Sequence, residues 1–325
     1  MNIFVTRVIP QKGLDLLIEA GFEVTQYTEK RELSQEELIL ACKDHDALLS
    51  VGPNKIDENF LKQCSHLKGI ALMSVGYDNV DVEAATRYGV PISNTPGVLS
   101  GATADVAFLL MIAVSRKAFY MSNSIAKGEW GFFEPTVNLG QELNGKTLGV
   151  FGLGRIGMEL AQKCKAAYNM NIIYHNRKPN DEAEESLDAQ YVSFENLLKQ
   201  SDVLSVHVNL TPETKGLFDH TAFKQMKPSV IFINTARGAI HQEDDLLQAL
   251  QNKTIWGAGL DVTNPEPMEP THPLLSMPNV CVLPHIGSAT AETRDNMAVM
   301  AAQNLIAVLK DQEMPQAINP EVFHH

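Results

Sequence analysis

The feature that most constrains this chain is Val-Phe-Gly-Leu-Gly-Arg-Ile-Gly at residues 150–157, close to the middle of the sequence. Gly152, Gly154 and Gly157 form a G-x-G-x-x-G. Thr147 to Phe151 in front of them reads as a short apolar strand, and Ile156, Leu160, Cys164 and Ala167 behind them fall at helical spacing. Glycines alone are a weak signal, but strand, glycines and helix in this order are a specific one. Gly152 permits a tight turn, Gly154 lets the backbone approach a pyrophosphate, and Gly157 lets helix and strand pack closely. With Leu153, Arg155 and Ile156 they make a candidate phosphate loop. About 150 residues precede a unit that often opens a domain, so another structure has to be built first.

The chain has 325 residues, long enough for two domains with real cores. It contains no apolar run of 18 residues, so no membrane span is expected. Its first residues, Met-Asn-Ile-Phe-Val-Thr-Arg-Val, alternate like a first strand and lack the cationic start of a secretion signal, which favours the cytoplasm. A net charge of −13 argues against a nucleic-acid partner. The acidic run Asp181 to Glu185 reads as a solvated loop. Cys42, Cys64, Cys164 and Cys281 share no C-x-x-C spacing. They read as small buried hydrophobes in a reducing compartment, with no disulfide frame and no metal site.

Residues 1 to about 95 alternate strand-like and helix-like segments. Strand candidates are Ile3 to Val8, Phe22 to Tyr27, Ala47 to Val51, Gly69 to Met73 and Pro91 to Asn94; one intervening helix opens with the capping-box spacing of Ser34 and Glu37. Ser100 to Ala126 reads as one long apolar helix, suited to a crossover that also packs on a partner subunit. A second series then runs through Thr147 to Phe151, Ile172 to His175, Val203 to Val208, Val230 to Asn234, Gly257 to Val262 and Val280 to Leu283, before a long helix over Ala289 to Lys310. Strands alternating with helices imply parallel sheets, and the second series suits a doubly wound dinucleotide fold.

In such sheets ligands bind outside the carboxyl ends of the strands. Three polar groups follow strand ends here. Ile231 to Thr235 leads to Arg237-Gly238, Gly257 to Leu260 leads to Asp261 and then Glu266, and Val280 to Leu283 leads to His285-Ile286-Gly287-Ser288. An Arg, a carboxylate and a His at neighbouring strand ends suit polarised carbonyl chemistry, and Gly238 and Gly287 allow close backbone approach beside them.

These residues resemble the D-isomer-specific 2-hydroxyacid dehydrogenases, most closely the glyoxylate/hydroxypyruvate and 2-ketogluconate reductase branch. The resemblance covers nearly the whole chain. Its marks are Ser74 to Asp81, Asn94-Thr95-Pro96-Gly97, Gly152 to Gly157, Asn234-Thr235-Ala236-Arg237-Gly238, Gly259-Leu260-Asp261-Val262 and Leu283 to Ser288. It implies an α/β protein of two doubly wound parallel-sheet domains. A Rossmann cofactor domain (101–288) is inserted into a flavodoxin-like substrate domain (1–100 and 289–325), with the site in the cleft between them. It implies that Arg237, Glu266 and His285 are the catalytic set, and that Val75, Gly76, Arg237 and Ser288 meet the substrate. Thr235, Arg237, Asp261, His285 and Gly287 join the glycine loop around the cofactor, and Asp261 is a positioning residue. Trp130 resembles an aromatic that relatives reach across a dimer interface; a core Trp under a loop fits the sequence equally. A homodimer acting on a small 2-keto or 2-hydroxy acid is expected.

An NAD enzyme normally ends its second dinucleotide strand in an acid that accepts bonds from the ribose hydroxyls and repels a 2′-phosphate. Asn176 stands at that place, 19 positions past Gly157, followed by Arg177 and Lys178. The pattern favours NADP, with Arg177 and Lys178 on the phosphate; NAD remains open if Asp181 or Glu182 approaches the ribose. Formate dehydrogenases, which usually place Gln after the catalytic His, fit less well, since Ile286-Gly287-Ser288 follows here. A phosphoglycerate-type dehydrogenase and a nucleotide-sensing corepressor are the alternatives. The former often carries an added regulatory domain, and the latter disordered tails, neither evident here.

Overall fold

In the computed structural model, described over residues 1–324, the strands assemble into two parallel sheets of five and seven strands. The chain divides into two compact units, one made of Met1–Leu99 with the segment from Ser288 onward, the other of Ser100–Gly287.

The first unit holds β1 (Asn2–Val5), β2 (Glu23–Gln26), β3 (Ala47–Ser50), β4 (Gly69–Leu72) and β5 (Ile92–Ser93), in the order β2-β1-β3-β4-β5. Ile3 is flanked by Val24 and Ala47, which sets the register. β3 and β4 are buried along their length, as apolar runs covered on both faces should be, while β2 alternates at the edge. The helix Gln35–Cys42 opens as its spacing predicts. The Glu37 N–H donates to Ser34 Oγ at 3.2 Å, and the Ser34 N–H donates to the Glu37 carboxylate at 2.8 Å. The helix Ala291–Leu309 packs back onto this unit, and Gly13 lets it approach so closely that a Cβ there would lie 2.7 Å from the Ala298 side chain. Asn319 completes the unit: it is fully buried, accepts the Ile92 N–H at 2.8 Å and donates to the Val90 carbonyl at 3.1 Å.

The second unit holds β6 (Thr147–Phe151), β7 (Asn171–His175), β8 (Gln190–Tyr191), β9 (Val203–Val206), β10 (Ile231–Asn234), β11 (Gly257–Leu260) and β12 (Val280–Val282). Their order is β12-β11-β10-β9-β6-β7-β8, so the winding reverses between β6 and β9, where a doubly wound sheet opens its ligand crevice. All six expected strands are present. The seventh, β8, is two residues long, too short to show a period, and exists by pairing Gln190 with Ile173.

Two sequence expectations are corrected. Ser100 to Ala126 is two helices, Ser100–Ser115 and Ala118–Ala126, because Lys117 takes a left-handed conformation (φ 54°). There the freed Ser115 carbonyl accepts the Gln141 N–H at 2.8 Å, and Gly140 packs directly on that carbonyl. The acidic run is not a loop but the first turns of a helix, Asp181–Leu187, capped by Asn180. Acids in a first turn complement the helix dipole. Gly257 and Gly259 in β11 are explained by the Ser100–Ser115 helix lying against them, since a Cβ at either would fall within 2.8 Å of Val114 or Leu110. The four cysteines are buried and free. Among the described residues no helix is long and apolar enough to cross a membrane, and no metal-ligating cluster occurs.

Candidate active site

The glycine loop lies at the carboxyl end of β6, on the reversal point of the sheet. Gly152 has φ 98°, and a Cβ there would meet the His207 backbone at 2.8 Å. A Cβ on Gly157 would lie 2.7 Å from the Gly152 carbonyl, so this position brings helix onto strand. Gly154 differs: nothing lies within 4 Å of its Cβ position. It is the N-cap of the helix Arg155–Tyr168 and offers no side-chain oxygen to that helix's first N–H groups. Exposed N–H groups, the positive end of a 14-residue helix and an open glycine surface fit the diphosphate of a dinucleotide.

Asn176 reaches into this loop. Its Oδ1 accepts the Leu153 N–H at 2.6 Å, and Asn180 Nδ2 donates to the Leu153 carbonyl at 2.9 Å. Arg177 and Lys178 are exposed or nearly so beside it, and the field of Arg177 helps hold the Glu213 carboxyl below its usual range, after hydrogen bonds from Thr211 and its own backbone.

The candidate catalytic groups are gathered at three neighbouring strand ends. After β10, Asn234 shapes the turn: its Oδ1 accepts the Ala236 N–H and its Nδ2 donates to the Arg237 carbonyl, both at 2.9 Å. Gly238 then lies against the Thr263 backbone so tightly that no side chain would fit, which locks the Arg237 loop to the loop that carries Glu266. After β11, Asp261 is 1% exposed and clamps the loop beyond β12. Its carboxylate accepts the Ile286 and Gly287 N–H groups at 2.8 and 2.7 Å, and its carbonyl accepts the His285 N–H at 2.9 Å. Burial raises the Asp261 carboxyl above its ordinary value, with the two N–H bonds opposing. This clamp holds His285 at φ 53°, a left-handed conformation that few non-glycine residues adopt.

So oriented, His285 places Nδ1 at 2.6 Å from Glu266 Oε1. With Nδ1–H given to the carboxylate, Nε2 is the ring nitrogen left to a substrate. Burial pushes the Glu266 carboxyl up, but the His285 hydrogen bond, the His285 charge, the Thr263 N–H and Arg237 together outweigh it and hold it below its ordinary value. The site therefore offers a stable carboxylate, an imidazole seated on it and a guanidinium nearby. That set can bind an anion, polarise a carbonyl and give or take one proton.

One group here was missed by the sequence reading. His207, just past β9, has Nε2 2.8 Å from Ser205 Oγ and Nδ1 3.4 Å from Thr235 Oγ1. Burial drives it down to about 4, so it is a neutral ring joining two hydroxyls. Its position past an apolar strand was the available signal.

The remaining expected residues lie elsewhere. Val75 and Gly76 occupy the turn after β4 in the first unit, where Asn94 Nδ2 ties down the Val75 carbonyl and Ser74 Oγ the Gly76 carbonyl, both at 2.8 Å. Ser288 opens the returning segment of that unit. Trp130 is 80% exposed in the chain, so the core alternative is corrected; no layer of the fold covers residues 129–133.

A model of the D-isomer specific 2-hydroxyacid dehydrogenase NAD binding domain matches residues 108–287. Among relatives, a glyoxylate reductase of Thermococcus litoralis is 43% identical over 326 aligned positions, covering 99% of this chain and 98% of its own, and one of Aeropyrum pernix is 42% identical, with 99% and 96% covered. Among solved structures, the TT0316 protein of Thermus thermophilus superposes with a TM-score of 0.91 at 41% identity, covering 98% of this chain and all of its own. An NADPH-dependent glyoxylate/hydroxypyruvate reductase of Sinorhizobium meliloti, solved with NADP and malonate, gives 0.86 at 32% identity, with 99% and 98% covered. Carried by the glycine loop, the strand-end trio and these full-length likenesses, the chain belongs to the D-isomer specific 2-hydroxyacid dehydrogenase family of NAD(P)-dependent oxidoreductases.

Proposed function

We propose that the protein reduces small 2-keto acids, of the size of glyoxylate, hydroxypyruvate or 2-ketogluconate, to D-2-hydroxy acids and prefers NADPH. The observation that carries this reading is the His285–Glu266 pair, 2.6 Å apart at a strand end beside Arg237. The bound nicotinamide supplies the hydride. Arg237 holds the substrate carboxylate and keto oxygen through its planar fork, which a lysine cannot imitate. His285 protonates the developing alkoxide from Nε2. Glu266 fixes the ring and holds its Nδ1 side, leaving Nε2 for the substrate. The first unit serves as the substrate-binding domain, contributing the Val75 and Gly76 N–H groups and Ser288 to the substrate.

Asn176 supports the NADPH preference. Its carboxamide is spent on Leu153, so this position offers the ribose no carboxylate, and Arg177 and Lys178 follow it to meet a 2′-phosphate. Trp130, Phe132 and Phe133, 80%, 92% and 82% exposed, support a homodimer, since so apolar a surface is rarely left in water. The names of the relatives favour glyoxylate. The test is a panel of 2-keto acids assayed with NADPH and NADH by loss of reduced-nicotinamide absorbance. Turnover of a short 2-keto acid, faster with NADPH, is expected; tight nucleotide binding with no turnover across the panel would overturn the reductase reading.

A further inference from the structure

Behind the Arg237 and Glu266 loops lies a buried cluster that the mechanism above does not use. His241 and Glu243 are 1% and 8% exposed, and His272 packs beside them. The ring states follow from their partners. Asn234 is oriented by accepting the Ala236 N–H, so its Nδ2 is the donor, and it lies 3.1 Å from His241 Nδ1. His272 Nδ1 accepts the Leu274 N–H at 3.4 Å. Both rings thus carry a proton on Nε2, and both Nε2 atoms face the Glu243 carboxylate, at 3.6 and 3.9 Å. These separations exceed hydrogen-bond length, and His241 Nε2 and Glu243 Oε1 have no hydrogen-bond partner among the described residues. The short bond to this carboxylate comes from the Asn264 N–H, 2.8 Å from Glu243 Oε2, two residues before Glu266.

A buried carboxylate is expensive, and an apolar or amide side chain could brace a loop at lower cost. This one sits where its charge draws together two loops. One line runs from the Asn264 N–H through Glu243 to the His241 ring, the Asn234 amide and the Arg237 carbonyl. The backbones of Gly238 and Thr263 meet directly alongside it. We propose that Glu243, with His241 and His272, is a positioning residue that sets the place of Glu266 relative to Arg237, and through Glu266 the orientation of His285. This role rests on the reading of Glu266 and His285 as the proton-donating pair. The charged groups that face Glu266 are His285, Arg237 and Asp261.

The test measures kcat/KM for 2-keto acid reduction against pH in the full-length protein for wild type, E243A, E243Q, H272A and E266Q, with nucleotide affinity measured separately by fluorescence. E243A is expected to lose roughly 10- to 100-fold in kcat, the scale of a misplaced catalytic group. The basic limb of its profile should move to lower pH, in the same direction as in E266Q, with nucleotide affinity within about threefold of wild type, because the glycine loop is untouched. E243Q keeps an oxygen for the Asn264 N–H and should recover part of the rate and part of the shift. If E243A does not fold, E243Q and H272A carry the same expectation in smaller measure. A shift in E266Q with an unmoved profile in the Glu243 and His272 variants overturns the positioning role alone. An unmoved profile in E266Q overturns the proton-donor reading itself, and the role of Glu243 with it.

Discussion

Asn176 Oδ1 holds the Leu153 N–H at 2.6 Å, so the residue just after β7 braces the glycine loop beside it. The proposed NADPH preference therefore rests on the cations that follow, Arg177 and Lys178. Arg177→Ala should cost NADPH roughly tenfold or more in kcat/KM, the worth of one charge-assisted hydrogen bond of about 1.5–3 kcal/mol. NADH should lose little. Steady-state kinetics with both nucleotides checks this, and equal losses would mean that Arg177 does not read the phosphate.

His285→Ala removes the proposed proton donor but nothing that shapes the glycine loop. Turnover should fall by about 10²–10⁴-fold, the usual contribution of general acid catalysis, with nucleotide affinity retained. Substantial activity in this variant would move the proton donor elsewhere.

The glycines divide into two kinds by what surrounds them. Gly157→Ala drives a Cβ to 2.7 Å from the Gly152 carbonyl, so the protein should lose several degrees of Tm. Gly154→Ala meets no protein atom within 4 Å and requires no positive φ, so Tm should hold while nucleotide affinity falls, because the added methyl occupies the surface a diphosphate would use. Thermal melts with and without nucleotide separate the two; unchanged affinity in Gly154→Ala would count against a diphosphate at this helix.

The Glu266 carboxyl lies below its ordinary value of 4.5 in the folded protein. A depressed carboxylate stabilises the fold above its unfolded value and loses that contribution as pH falls through the folded one. Glu266→Gln should therefore flatten the acid side of the Tm–pH curve below about pH 5. Asp261 acts with the opposite sign: its value is raised from 3.8 by burial, so its cost appears as pH rises through the raised value. Asp261→Asn should remove that cost but give up one of the two N–H acceptors holding Ile286 and Gly287, and activity should drop even where Tm does not. Paired melts and rates across about pH 2–7 decide it, an interval that covers both windows.

The run of strands along the chain and the placing of Arg237, Glu266 and His285 at strand ends were legible because parallel strands are apolar runs with polar residues immediately after them. The capping box at Ser34 was legible for the same local reason. What escaped the sequence depends on distant partners. The break at Lys117 is completed by Gln141, which satisfies the Ser115 carbonyl from 26 residues away, and β8 exists by pairing with β7. The acidic segment 181–185 has a helical cap in Asn180 that its charge density obscured. His207 and Glu243 carry no motif; each becomes visible once the hydroxyls, amides and imidazoles around it are brought together by the sheet.

The way the first unit is completed has a consequence for how the protein is made. Its N-terminal strands pack on the Ala291–Leu309 helix at Gly13, and its β5 edge is bonded by Asn319, residues that follow the whole second unit in the chain. The unit Ser100–Gly287 is contiguous and owes nothing to residues outside it for its strands. During synthesis every strand of the second unit emerges before the segment from Ser288 onward that completes the first. The segment that is made first thus belongs to the unit whose residues are complete last.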